Sequence, residues 1–342
     1  MGKHLPVGKL PMELLSELLG KLPADESVVL GPGVGRDAAA VRLGEQLVVL
    51  KSDPITFATD EIGWYAVHVN ANDVACLGAT PRWFLSTLLL PESGTTPELV
   101  RRIAASLRAA CAHLGISLIG GHTEITTGLD RPIIAGTMVG TVEPERLIRP
   151  DRVEPGDEIL VARGIAIEGT AILARECQDR LAAYFDEGFL NRCRAFLHQP
   201  GISVVQAARL LHDHLGERLH ALHDPTEGGL ATGLRELALA SGYGVTVDAR
   251  AIPIYPETRA LCDALGLDPL GLIASGALLA AVEPGTSGEA LALLQQAGIP
   301  AAAIGRVEAD PARLDLVTDA GVVPLPSFPV DELARLFAEG GC

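Results

Sequence analysis

Carboxylates recur beside glycines and at the ends of apolar runs in this chain. Asp37 closes the loop GPGVGRD, Asp53 follows the run QLVVLKS, Asp73 sits in NAND, and Glu124 ends GGHTE. In the second half, Asp224 and Glu227 stand together in HDPTEGG. Hard cations such as Mg²⁺ take oxygen ligands and bridge them to phosphate oxygens. Clustered carboxylates repel one another unless a cation neutralises them. Phosphate chemistry on bound Mg²⁺ is therefore what these residues could do together. Each is ambiguous alone, because an Asp before Pro, as at Asp53 and Asp224, is also an ordinary turn initiator. His122 could be a metal ligand, a general base or a hydrogen-bonding turn residue. Gly31, Gly33 and Gly35 let backbone N–H groups approach an anion, so the loop reads as a phosphate cradle or a plain turn. It matches neither the P-loop nor the dinucleotide-binding glycine pattern.

The elements that must position these groups alternate between strand and helix. Ile62–Val69 (IGWYAVHV) has apolar residues at helical spacing, and NANDVACLGATP continues it to a Gly78 C-cap and Pro81. Asn70, Asn72 and Asp73 thus lie in or beside a helix whose other face is apolar. Gln46–Lys51 is a strand that delivers Ser52-Asp53-Pro54 at its end, where α/β folds place ligand-contacting groups. Trp83–Leu90 is a buried strand, and Thr96-Pro97 caps a helix over Glu98–Leu114. Ile116–Ile119 reads as a strand that stops at Gly120-Gly121, and Pro132–Val142 as another. The polar run IRPDRVEPGD carries a strong turn signal, which puts a domain boundary near Pro150 and gives domains 1–150 and 151–342.

The second domain opens with the strand Glu158–Ala162 and a glycine-containing loop entering a helix at Gly164–Arg175. Glu176–Pro200 reads as mostly helical. Helices follow at Ile202–Leu215 and Leu230–Ser241, and strands at Tyr243–Val247 and, interrupted by glycine, Ile273–Val282. The helix Gly288–Ala297, the strands Ala302–Val307 and Leu314–Thr318, and the short helix Pro329–Ala338 complete it. The pattern predicts a two-domain α/β (α+β) protein.

Composition narrows the function. The 342-residue chain carries a net charge of −16, which argues against a nucleic-acid surface. Apolar residues make up 48% of it, with no uncharged run near the roughly 18–20 residues of a membrane span. The start MGKHLPVGKLP lacks the apolar core of a signal peptide, so a cytoplasmic protein is expected. Cys76, Cys111, Cys177, Cys193 and Cys262 lie among apolar or helical residues and are expected to be reduced core side chains. Cys342 follows Gly340-Gly341 and is the exception.

The motifs GRDAAA, KSDP, NAND followed by GATP, GGHTE, HDPTEGG and DPLGLIASGALL resemble, in that order, the PurM-like superfamily around aminoimidazole ribonucleotide synthase. HDPTEGGL and LDPLGLIASGALLAAV look most like its hydrogenase-maturation branch, HypE. The resemblance spans nearly the whole chain. It implies an ATP-dependent enzyme with an N-terminal α/β domain, a C-terminal α+β domain, and a homodimer in which two N-terminal sheets form a shared barrel. Carried over by residue, it makes Asp37, Asp53 and Asp73 Mg²⁺–phosphate carboxylates, and Gly120 and Gly121 a phosphate-side turn. Asn70, Gly33 and Gly35 join the ATP-binding set, with Asp224 and Glu227 on the second-domain turn and Lys9 on an N-terminal glycine segment. Relatives place an acid where this chain has His122, so Glu124 is the replacement metal ligand, and both are catalytic candidates beside Asp73 and Cys342. In HypE proteins a terminal thiol carries a carbamoyl group that ATP-dependent dehydration converts to thiocyanate, a source of iron-bound cyanide. A carbamoyltransferase and an Fe–CN scaffold are the implied partners. Here the ending is Glu-Gly-Gly-Cys rather than the usual Pro-Arg-Ile-Cys.

Two other readings stand beside this one. A superfamily kinase or cyclase would act on a free small molecule and leave Cys342 idle. A nucleotide-binding maturation scaffold would bind ATP with little turnover.

Overall fold

The computed structural model describes residues 5, 10–19, 25–33, 35–56 and 61–342. The chain divides into two compact units, the smaller holding Asp37–Leu147 and the preceding strand, the larger Ile148–Cys342 with residues 32–36 and the first helix. That helix is α1 (Met12–Leu19).

The smaller unit runs β1 (Val28–Leu30), β2 (Ala39–Leu43), β3 (Gln46–Ile55), α2 (Ile62–Cys76), β4 (Thr80–Pro91), α3 (Pro97–Leu114), β5 (Ser117–Thr126) and β6 (Ile133–Val142). Its six strands form one sheet in the order β1-β2-β3-β6-β4-β5. Along β6 every second residue is buried, the period-two signature of a sheet with one face packed. The helix α2 packs on β3, β6 and β4 and on α3. Nearly all of its residues are buried, polar ones included, which is the burial of a central helix rather than a surface one. At α3, Thr96 accepts a hydrogen bond from Leu99 N–H and Gly115 closes the helix in the left-handed region.

β5 corrects the expectation that the strand stops at Gly120-Gly121. The strand runs on to Thr126, with Gly120 and Gly121 paired to Leu85 and Ser86 of β4 in parallel register. A Cβ on Gly121 would lie 1.9 Å from the Ser86 carbonyl oxygen, so glycine here permits a close strand approach rather than a turn. β2 joins β3 in a hairpin, for which Gly44-Glu45 between Leu43 and Gln46 is the local signal.

The larger unit continues with β7 (Glu158–Ala162), α4 (Ile167–Glu176), α5 (Gln178–Leu181), α6 (Glu187–Arg194), α7 (Val205–Leu215), β8 (Leu219–His223), α8 (Gly229–Ser241), β9 (Gly244–Asp248) and α9 (Pro256–Leu265). It ends with β10 (Leu278–Val282), α10 (Ser287–Gln296), β11 (Ala301–Glu308), β12 (Leu314–Thr318), β13 (Gly321–Pro324) and α11 (Glu332–Ala338). Seven strands order as β13-β12-β9-β11-β7-β10-β8. Ile159, Val161, Val245, Val247, Leu279 and Ala281 from this sheet pack with Leu230, Leu234 and Leu237 of α8 in one core.

The expected strand Ile273–Val282 begins only at Leu278. Upstream of it, Gly169 N–H donates to Ile273 O and Ala274 N–H to Thr226 O, bonds to loop and helix that replace a ladder. The cysteine expectation also needs correction. Cys76, Cys111, Cys193 and Cys262 are free and buried, but Cys177 is disulfide-bonded to Cys342.

Candidate active site

β3 and α2 bring two of the expected carboxylates onto one cation. Side chains two apart on a strand share a face, so Lys51 and Asp53 point the same way. Asn70 and Asp73, three apart on α2, share a face as well. Lys51 Nζ lies 3.2 Å from Asp73 Oδ2 and 3.7 Å from Asp53 Oδ2. Asp73 is buried and Asp53 partly exposed. Two carboxylates sharing one ammonium keep a net negative charge and only oxygen donors, which is the donor chemistry a Mg²⁺ ion requires.

Asn70 fixes the Asp53 backbone. Pairing of β2 with β3 ends at Ala39 opposite Leu50, so residues beyond Leu50 have lost that neighbour. The Asn70 carboxamide oxygen accepts from Asp53 N–H at 2.9 Å, and its amide donates to Asp53 O at 3.3 Å and Ala66 O at 2.8 Å. Gly136, paired with Asp53 across β6, leaves room for that amide. A Cβ there would sit 2.6 Å from Asn70 Nδ2 and 2.7 Å from the Phe84 ring.

Asp37 is half-buried in the segment entering β2. His122 and Glu124 lie on β5, both exposed, with His122 Nε2 3.5 Å from Glu124 Oε2. Arg36 N–H donates to Gly33 O in a turn. Gly35 has φ +71°, and a Cβ there would meet Glu236 O of α8 at 2.5 Å, so both the turn and the packing against α8 favour glycine. Lys9 lies outside the described residues.

In the larger unit Asp224 is buried just past β8, next to His223, whose Nε2 stands 3.0 Å from Glu236 Oε2. Around the Asp224–Glu227 turn gather acids that the sequence reading missed. Glu168, in the first turn of α4, is buried beside the Ser275 hydroxyl and feels the charges of Glu227, Asp331 and Asp224. Burial foremost, and then those like charges, push its carboxyl up to about 8. Asp331 caps α11, accepting from Gly228 N–H and Leu333 N–H at 2.7 Å each. Burial raises its carboxyl to about 7 against those two hydrogen bonds. A Glu entering a helix from a glycine-containing loop was the one available signal for Glu168; nothing local marked Asp331.

The model of the AIR synthase related protein N-terminal domain matches residues 35–142, and that of the C-terminal domain residues 154–315. A Methanocaldococcus jannaschii protein assigned to hydrogenase expression and formation is 32% identical over 86% of this chain and 85% of its own length. Carbamoyl dehydratase HypE of Rhizobium leguminosarum bv. viciae is 32% identical over 81% of this chain and 78% of its own. Among solved structures, a hydrogenase maturation protein HypE in complex with ATP superposes with a TM-score of 0.71 at 28% identity, covering 92% of this chain and 91% of that one. These similarities run through both units, and the chain belongs to the AIR synthase related family, within its HypE group of hydrogenase maturation proteins.

Proposed function

We propose that this protein is an ATP-dependent carbamoyl dehydratase acting on an S-carbamoyl group carried by Cys342. The observation that carries the reading is the similarity to carbamoyl dehydratase HypE over 81% of this chain, joined to a cysteine at position 342. An amide oxygen is a poor leaving group. Transfer of the ATP γ-phosphoryl group to it makes a good one, and loss of phosphate with the remaining amide protons leaves S–C≡N.

Asp53, Asp73 and Asp37 are the residues that would hold Mg²⁺, with Glu124 as a further ligand, and the ion would offset charge on the transferring phosphoryl group. Lys51 holds Asp53 and Asp73 in place and limits their repulsion. Asn70 fixes the backbone from which Asp53 projects. Gly120, Gly121, Asp224 and Glu227 belong to the nucleotide-binding set in this reading, and His122 is a candidate proton carrier.

The protein would receive its carbamoyl group from a carbamoyltransferase, deliver cyanide to an Fe–CN scaffold in the cytoplasm, and work as a homodimer. The edge strand β5 supports self-association, since it exposes Leu118, Ile119 and Ile125 along an unpaired edge among the described residues. Among the described residues no helix is long and apolar enough to cross a membrane.

The competing reading, phosphoryl transfer to a free small molecule, gains from Cys342 being engaged with Cys177. Intact mass spectrometry separates the two. The chain, carbamoylated at Cys342, is mixed with ATP and Mg²⁺. Loss of one water with ADP formed, both absent from a chain truncated before Cys342, supports the dehydratase. ADP formation indifferent to the truncation assigns the chemistry to a free acceptor.

A further inference from the structure

We propose that Cys177 and Cys342 are a redox-active thiol pair in which Cys177 reversibly withdraws the Cys342 sulfur from acylation. The two residues are 165 positions apart in sequence, yet their Cα atoms are 4.4 Å apart and their sulfurs are bonded. Cys177 is buried at the junction of α4 and α5, whereas Cys342 is exposed.

The segment before Cys342 is seated independently of the sulfur bond. Gly340 turns in the left-handed region at φ +67°, and its N–H donates to Phe337 O at 3.1 Å. Gly341 N–H donates to Leu336 O at 2.9 Å, and the Arg180 guanidinium, one turn past Cys177, donates to Gly341 O at 2.7 Å. A Cβ on Gly341 would fall 2.4 Å from Leu336 Cδ1, so glycine permits the segment to lie flat on α11. Backbone and guanidinium bonds thus hold the segment that carries Cys342 beside Cys177 in addition to the sulfur bond.

The chain does not otherwise use disulfides. Cys76, Cys111, Cys193 and Cys262 remain free thiols in the interior. A fold that relied on staples would not leave four buried thiols beside a single bridge, and a lone bridge with one exposed cysteine is the kind that exchanges.

The exchange balances with a dithiol as co-reactant. A reductant thiolate attacks the sulfur of Cys342, the Cys177–Cys342 bond breaks, and Cys177 leaves as a thiolate that takes a proton. The second thiol of the reductant then attacks its own sulfur in the mixed disulfide, freeing Cys342 and closing the reductant's disulfide. Two electrons and two protons pass to the protein, and the reverse exchange with a disulfide oxidant restores the bridge. In its consequence the proposal rests on the reading that Cys342 carries the carbamoyl group, since a sulfur in a disulfide cannot be acylated; the bond itself does not rest on it.

The test uses the full chain purified without reductant. Free thiols are blocked with N-ethylmaleimide in denaturant, and linked peptides are mapped by mass spectrometry. In parallel, native protein is labelled with maleimide before and after dithiothreitol. The proposal expects a Cys177–Cys342 linked peptide that dithiothreitol removes, and Cys342 labelling at least tenfold faster after reduction. In Cys177→Ala, Cys342 should label at the fast rate without reductant. Six blocked thiols in protein exposed to a disulfide oxidant, or equal labelling before and after reduction, would overturn it. ATP-dependent water loss, measured on reduced carbamoylated chain, tells the two readings apart. Gated labelling without water loss keeps the thiol pair and removes the dehydratase. Water loss with ungated labelling does the reverse.

Discussion

Asp73 and Glu168 are both carboxylates packed into helices, 4% and 5% exposed, and each unit settles its own in a different way. Asp73 meets the Lys51 ammonium at 3.2 Å, an opposite charge that offsets its own. Glu168 is ringed by Asp224, Glu227 and Asp331, and burial lifts it to about 8, so at neutral pH it holds a proton. A buried acid must have a counter-cation or give up its charge, because desolvation of a lone carboxylate is too costly. The first arrangement keeps negative oxygens available for a metal–phosphate ligand. The second keeps a carboxylic acid, a donor as well as an acceptor.

The sharpest way to break this contrast is Asp73→Asn. Removing the charge while keeping the shape should lower Mg²⁺-dependent ADP formation by about 10²–10³, the range for one preorganised electrostatic contact. Circular dichroism would confirm that the fold persists. Turnover within a few-fold of the parent would remove Asp73 from the chemistry and leave its pairing with Lys51 as structure only.

Glu168→Gln tests the other half. The folded carboxyl sits near 8 against an ordinary value of 4.5, so between those values the folded chain holds a proton that the unfolded chain has released. Stability must then fall as pH rises across that window, by about 1.4 kcal/mol per pH unit for one group, and the contribution is fully present below 4.5 and gone above 8. The Gln variant cannot ionise and should flatten that slope, gaining on the parent at pH 8. Urea midpoints at pH 5, 6.5 and 8 measure it. An unchanged slope would mean that Glu168 is ionised in the fold. Asp331, lifted from 3.8 to about 7, adds a slope of the same sign and size over that lower window.

Asn70→Ala is a smaller perturbation on the charged side. It strands the N–H and C=O of Asp53, which the amide now serves, and should cost about 1–3 kcal/mol in chemical denaturation. A loss under 0.5 kcal/mol, taken as about half the net value of one hydrogen bond, would mean that water replaces the amide there.

The charged site was largely legible in the sequence, and the protonated one was not. Asn70 and Asp73 declare themselves by helical spacing, and Asp53 by following an apolar run, although the strand expected to stop at Lys51 continues through Asp53 to Ile55. Because β3 continues to Ile55, Lys51 two positions before Asp53 shares its face, which a strand ending at Lys51 hides. The two-unit α/β architecture followed from the alternation of periods, but β5 did not. Gly120-Gly121 reads as a stop locally, and only pairing with β4 turns it into strand. Glu168, Ser275 and Asp331 meet through packing of segments more than fifty residues apart, as do Cys177 and Cys342 across 165, and no local pattern encodes such meetings.

The smallest expected effect lies within the charged site itself. Lys51 serves two carboxylates, but Asp53 is 37% exposed at its side chain and 3.7 Å from the ammonium, against 6% and 3.2 Å for Asp73. Solvent screens the outer pair, and exposed pairs of that kind contribute about 0–1 kcal/mol. Asp53→Asn should therefore leave stability within about 1 kcal/mol of the parent. Removing Asp73 leaves Lys51, itself only 22% exposed, with the weaker partner, so that variant should be less stable than Asp53→Asn. Denaturation of the two single variants and the double at one pH decides the order. If Asp53→Asn proves the more costly, the ammonium is held chiefly from the strand, and the helix carboxylate is the freer of the two for a metal.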